Sequence, residues 1–300
     1  MQSSLFRRWI IGLALVTAAL AGGCTMALKL GYNQGPTLAY WWMNGYADFD
    51  GPQAQRVKQL IGLWFRWNRT EQLPDYQQLM ERAQTQVLQP VLTGPQMCAF
   101  SDEVKQRVRT AYEHAVPSLA EVALSLSPEQ LASIEKRFDK NNRKFRDEFL
   151  PARREARVQA QVKKVEERLK TVYGSVTDAQ HQRVVQLVSA SPYDPELWLA
   201  ERQLLQQQVL QQLRQLQAAK AAGTPDAALA AQAQQALREL ARVAEHSPRE
   251  AYRQQQQRVA AYQCAMTAEL HGLMSPAQRQ AAHQKIGRWV EDLQALHAGR

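Results

Sequence analysis

The chain has 300 residues, with 37 Lys and Arg against 28 Asp and Glu, a formal charge of +9. Apolar residues make up 45% and charged residues 22%, which excludes wholesale disorder, while 14 Gly and 13 Pro exclude a collagen-like or Pro-rich scaffold. Three Cys exclude a disulfide-dense miniprotein, and the length suffices for one large domain or two small ones.

In chain order the first element is an address. Arg7 and Arg8 precede an apolar run from Ile10 to Ala21. That run has the length of a signal-peptide core (about 7–15 residues) and falls short of the roughly 20 needed to span a bilayer. Ala21-Gly22-Gly23 then leads into Cys24. The segment resembles the precursors of bacterial lipoproteins, whose lipobox sets Leu and two small residues before a Cys. Here Leu20 stands one position early and Ala21 occupies its place. The resemblance implies removal of a signal peptide (residues 1–23), diacylation of Cys24 with palmitate-like chains and acylation of the new amine. Several chains anchor a protein stably where one is marginal. Thr25 stands where an Asp would signal retention at the inner membrane. By the same resemblance, that implies an outer-membrane lipoprotein of a Gram-negative envelope, facing the periplasm. The alternative is an ordinary secretory signal followed by an incidental Cys. Removing residues 1–23 leaves 35 basic and 28 acidic residues, or +7.

Residues 24–36 read as the lipidated Cys and a short tether, since Gly31, Gly35 and Pro36 interrupt helix. An aromatic stretch follows, with Tyr40, Trp41, Trp42, Tyr46 and Phe49. These residues either form a core helix against Trp64, Phe65 and Trp67 or rest at a bilayer interface, which Trp and Tyr favour. Beyond it, apolar residues recur at i, i+3, i+4 and i+7, and helices are expected over 51–69, 74–90 and 94–123, the last kinked near Pro117. A long helix is expected over 128–172 with an interruption at Pro151, then 178–190, 195–221, 225–245, 248–273 and 276–297. No run alternates with period two. The fold class expected is therefore all-α, an elongated multi-helix assembly of antiparallel hairpins without a sheet. Ser191-Pro192-Tyr193-Asp194-Pro195 is the best internal boundary. It divides an N-terminal half, 37–190, from a C-terminal half, 191–300, within what reads as one continuous domain.

One signature recurs at helix starts: Asp50-Gly51-Pro52-Gln53, Thr93-Gly94-Pro95-Gln96, Ser127-Pro128-Glu129-Gln130, Thr177-Asp178-Ala179-Gln180 and Ser275-Pro276-Ala277-Gln278. Each is a capping box: the first side chain accepts from the N3 amide and the Gln reaches back to the cap. The spacings are irregular, so the boxes read as separate caps rather than as a solenoid repeat. With the preceding Leu92 and Leu126, two copies resemble the LTxxQ motif of Spy/CpxP-type periplasmic chaperones, a resemblance of about five residues per copy that implies the holding of unfolded clients. More broadly, Leu38 to Asp50, Gln72-Leu73-Pro74-Asp75-Tyr76 and Phe149-Leu150-Pro151 resemble a family of uncharacterised, all-helical proteobacterial lipoproteins over residues 20–290. That resemblance implies fold and location but no activity.

Residues 136–170 hold thirteen Lys and Arg against six acids, equal to the whole charge of the mature chain. Arg137, Lys140, Arg143, Lys144, Arg153, Arg154 and Arg157 are the candidate residues for binding an anionic envelope component or a protein client. The alternative is a solvated face laced with i,i+4 ion pairs. Nucleic acid suits the charge but not the compartment. Cys98 and Cys264 are a candidate disulfide in an oxidising periplasm; otherwise they are two buried thiols. The six His show no metal-ligand spacing, and there is no phosphate loop or nucleophile elbow. No metal, cofactor or catalytic residue is therefore expected. The function expected is non-enzymatic: a lipoprotein held to the membrane by its lipid, binding or scaffolding a partner, with chaperone-like holding as its most concrete form. The second reading is a structural envelope-assembly or wall-contacting factor with one dedicated protein partner.

Overall fold

The computed structural model describes residues 31–151 and 153–299. The signal segment 1–23 and Cys24 lie outside the described residues, as does the side chain of Arg154. Eleven α-helices pack antiparallel, with no strand among the described residues. They are α1 (Gly35–Ala47), α2 (Gly51–Trp67), α3 (Leu73–Gln86), α4 (Gly94–Ser125), α5 (Pro128–Phe149), α6 (Arg154–Tyr173), α7 (Asp178–Ser189), α8 (Pro195–Ala221), α9 (Asp226–Glu245), α10 (Glu250–Gly272) and α11 (Pro276–His297).

Two local outcomes differ from the sequence reading. Gly35 and Pro36 open α1 instead of ending a tether, because Pro in a first helical turn gives up no hydrogen bond. Tyr32, in the expected tether, sits edge-on against Phe65 at 5.5 Å and donates to Asn68 Oδ1 at 3.0 Å. The gap between α2 and α3 is a π-helical turn, Asn68–Gln72, rather than a break. Pro74 has no N–H to give, and the Leu73 N–H reaches back to the Asn68 carbonyl. As expected, Pro151 interrupts the basic stretch, which forms two helices, α5 and α6, parted at Leu150 to Arg153.

The five capping boxes all form. Four of them also pair, which their irregular spacing concealed. Gln53 Nε2 donates to Gln130 Oε1 at 3.2 Å, and Gln130 Nε2 donates back to Gln53 Oε1 at 2.7 Å. Each amide also donates to the carbonyl two residues before its partner's cap, Ser125 at 2.6 Å and Asp48 at 3.2 Å. The same arrangement joins Gln180 and Gln278, with reciprocal bonds of 2.9 and 3.0 Å and further bonds to the Leu273 and Ser175 carbonyls. Two helix–helix corners are thus clasped head to head in each case. The helices around the clasps correspond: α1 packs on α2 and α5, with α2 on α4, while α6 packs on α7 and α11, with α7 on α10.

These two four-helix units interlock. Helix α3 lies along α11, α4 along α9 and α10, and α8 along α5. Each buried cluster crosses the expected 190/191 division. One joins Tyr40, Phe49, Val57, Leu131 and Ile134 to Leu210; a second joins Val162, Val184 and Leu187 to Leu270. Two others join Ala120 to Leu216 and Leu229, and Val87 to Ala282 and Ile286. All of these contacts lie within residues 31–299, so a chain beginning at residue 25 keeps the whole described core. Cys98 on α4 and Cys264 on α10 form a disulfide with Cα atoms 5.3 Å apart, joining the two units covalently.

His271 is the most buried titratable ring, 2% exposed on α10. Its Nε2 lies 2.8 Å from the Gln89 carbonyl and its Nδ1 2.8 Å from Tyr173 Oη. A carbonyl only accepts, so Nε2 carries the proton and Nδ1 accepts from the tyrosine. Burial pushes the imidazole pKa below 6.5, and the Arg279 charge adds to this against the opposing pull of Gln89. The fold therefore favours the neutral ring. Its contribution is complete above pH 6.5 and is lost as pH falls from there toward the lowered folded value. We expect the urea midpoint to fall between about pH 7.5 and about pH 5.5, and His271→Gln to flatten that fall. A wild-type slope unchanged by the substitution would assign it to other groups.

Candidate anion-binding surface

Helix α5 turns Arg137, Asn141 and Lys144 toward one side at i, i+4 and i+7, alongside Phe138 and Phe145. The aromatic residues hold that side against two other helices. Phe145 stacks on Trp198 of α8 at 4.6 Å and on Phe149 at 4.7 Å, and Phe138 meets Tyr46 of α1 edge-on at 6.0 Å. This packing brings Arg202 of α8 into the cluster, with its guanidinium 5.4 Å from the Trp198 ring. Arg137 lies 5.6 Å from the centre of the Tyr46 ring, and Asn141 Nδ2 donates to Tyr46 Oη at 3.2 Å.

The electrostatics follow from crowding cations in a half-dry place. Burial pushes the Tyr46 phenol up to about 12, although Arg202 and Arg137 both pull it down. Burial also pushes the Arg202 guanidinium below its usual value. The Lys144 ammonium is lowered as well, first by burial and then by the Arg137 and Lys140 charges, with Glu148 opposing. The buried Nε of Arg137 has no hydrogen-bond partner among the described residues. An anion placed here would be attracted by Arg137, Lys144 and Arg202 and repelled by Glu148 alone among the groups named.

The other sequence-predicted cations fall in two groups. Lys140, Arg143 and Arg153 are exposed and enter no ion pair among the described residues. Arg157 is half-buried, with Nη1 3.8 Å from Glu196 Oε1. Further along α6, Lys164 pairs with Glu148 at 3.0 Å and Lys170 with Glu166 at 3.5 Å, so that end is an ion-paired face. The cluster proper is centred on α5, and it includes Tyr46 and Arg202, which lie outside the basic stretch. Among the described residues, no group of three His, Cys, Asp or Glu side chains could hold a metal ion. No described helix is long and apolar enough to cross a membrane.

The sequence matches a family of unknown function, DUF6279, over residues 45–222. The chain belongs to DUF6279. The matched segment runs from one residue before Tyr46 to the end of α8 and so contains Tyr46, Arg137, Asn141, Lys144 and Arg202 together. The clasp between Gln53 and Gln130 lies inside it, while Gln278, Cys264 and Trp41 lie beyond it. No curated protein and no solved structure matches this DUF6279 chain.

Proposed function

We propose that this DUF6279 protein is a non-enzymatic lipoprotein of the Gram-negative envelope, anchored through Cys24 at the outer membrane and facing the periplasm, that binds an anionic partner through the α5 cluster. The observation that carries the reading is the convergence of Arg137 and Arg202 on the half-buried Tyr46, with Lys144 beside Arg137 on the same side of α5. Chaperone-like holding of clients with exposed acidic segments is its most concrete form, and the LTxxQ-like boxes support it. The Cys98–Cys264 disulfide suits an extracytoplasmic compartment, where such bonds persist.

The test uses an unrelated unfolding protein whose aggregation is followed with and without this chain. Suppression should be strong at low salt and fade at high salt, because the Debye length shrinks from about 10 Å at 0.1 M to about 3 Å at 1 M. The variant Arg137→Gln/Lys144→Gln/Arg202→Gln removes the three cations of the cluster while keeping polar side chains in their place. It should lose about fivefold or more of the low-salt effect. Absence of suppression at both salts, or equal suppression by the variant, sinks the chaperone form. The search would then turn to one dedicated envelope partner by crosslinking.

A further inference from the structure

We infer that the outward face of α1, together with the cations beside it, docks on an anionic phospholipid bilayer surface and fixes how the domain sits on the membrane. The helix divides its aromatic residues between two faces. Tyr40 and Ala47 enter the core with Phe49 just beyond the helix, whereas Leu38, Trp41 and Trp42 remain 37%, 63% and 42% exposed. Those three fall at i, i+3 and i+4, which makes them one strip. Helix α1 contains no charged residue. Gly45 continues the strip, and Arg137 Nη2 stands 3.8 Å from where a Cβ on Gly45 would be. Trp42 touches the Tyr46 ring at 5.2 Å, so the strip runs directly into the α5 cluster. On its other edge Lys58 Nζ lies 4.4 Å from the Tyr40 ring, which itself meets Trp41 at 5.6 Å.

An exposed tryptophan strip with cations on both edges has the chemistry of a membrane interface. Indole rings favour the headgroup level, and basic side chains favour anionic lipid. The position in the chain agrees. Tyr32, packed on Phe65 just before α1, lies eight residues after Cys24, a span of at most about 30 Å when extended, so a chain anchored at Cys24 holds α1 close to the bilayer. The orientation deepens the anchored-lipoprotein reading, but the binding itself does not need the lipid.

The test therefore uses residues 25–300, which keep the whole described core, with vesicles of phosphatidylglycerol and phosphatidylcholine or of phosphatidylcholine alone. Binding to the anionic vesicles is expected, with a blue shift of tryptophan emission and quenching by lipids brominated near the headgroup. Trp41→Ala/Trp42→Ala should bind about tenfold more weakly or worse, and Lys58→Glu/Arg137→Glu should abolish the preference for anionic lipid. Emission that stays unquenched at saturating lipid, measured on the unaltered chain, overturns the proposal without relying on any variant. Equal binding by the Trp variant overturns it too. So does lipid-independent self-association that the Trp variant loses, which would assign the strip to a second copy. The anchor fails separately, if mass spectrometry of the full chain purified from membranes finds Cys24 unlipidated.

Discussion

Replacing Gln278 by Leu should lower the free energy of unfolding by about 3 kcal/mol, well above the usual cost of losing a cap. The size follows from what the amide does. Gln278 Oε1 accepts from its own cap at Ser275 and from Gln180, while its Nε2 donates to Ser175 and to Gln180. The side chain is buried, as is Gln180. Leu fills similar space but removes the cap, typically about 1 kcal/mol, and leaves the buried Gln180 amide without its partner, at about 1–3 kcal/mol, while the Ser275 N–H and the Ser175 carbonyl, both on exposed residues, can turn to water. Gln96 is the internal control. It caps Thr93 in the same way, with bonds of 2.7 and 2.9 Å, but no second box faces it among the described residues. Gln96→Leu should therefore cost about 1 kcal/mol or less. A double-mutant cycle on Gln180→Leu and Gln278→Leu should show coupling of about 1 kcal/mol or more, since each removes the other's partner. Equal losses at positions 96 and 278 with no coupling would reduce the clasp to two independent caps.

The clasps show what was legible in the sequence. A capping box is written in four consecutive residues, so all five helix starts could be read from cap and Gln alone. Their pairing joins residues 77 and 98 positions apart, and a Gln that caps looks the same whether or not it also faces a second Gln. The basic stretch was legible as composition, and Pro151 marked its interruption. The centre of the cluster was not, because Arg202 stands in a Gln-rich helix whose charge pattern draws no attention. Tyr46 and Trp42 differ by one helical turn and share a chemistry, so the aromatic stretch allowed both a core and an interface reading. The packing of α1 on α2 and α5 decides it residue by residue: Tyr40 and Phe49 enter the core, and Trp41 and Trp42 stay outside.

Reducing the Cys98–Cys264 bond, or replacing both residues by Ser, should cost roughly 5 kcal/mol in the chain-entropy account, given the 166-residue separation. The bond closes a long loop in the unfolded chain, and its effect is largest where that loop is longest. Here it ties α4 of the first unit to α10 of the second, so most of the helices lie inside the closed loop. Denaturant midpoints measured with and without reductant, beside a count of alkylatable thiols, test this directly. Two reactive thiols in the chain from residue 25, purified under oxidising conditions, would remove the bond altogether. A blocked pair with unchanged midpoints would place the constraint in the unfolded ensemble already. A loss of 5 kcal/mol is large against the roughly 5–15 kcal/mol that holds a typical protein folded. The reduced chain should therefore be marginal at body temperature, whereas the two clasped units acquire their full mutual stability only where an oxidant closes the bond. The covalent link and the two glutamine clasps act on different steps. Each clasp fixes the corners within its own unit, and the disulfide limits how far the units can separate. Loss of the disulfide should accordingly broaden the unfolding transition, with the α1–α5 side and the α6–α11 side melting less cooperatively, while loss of a clasp lowers the midpoint with the bond intact.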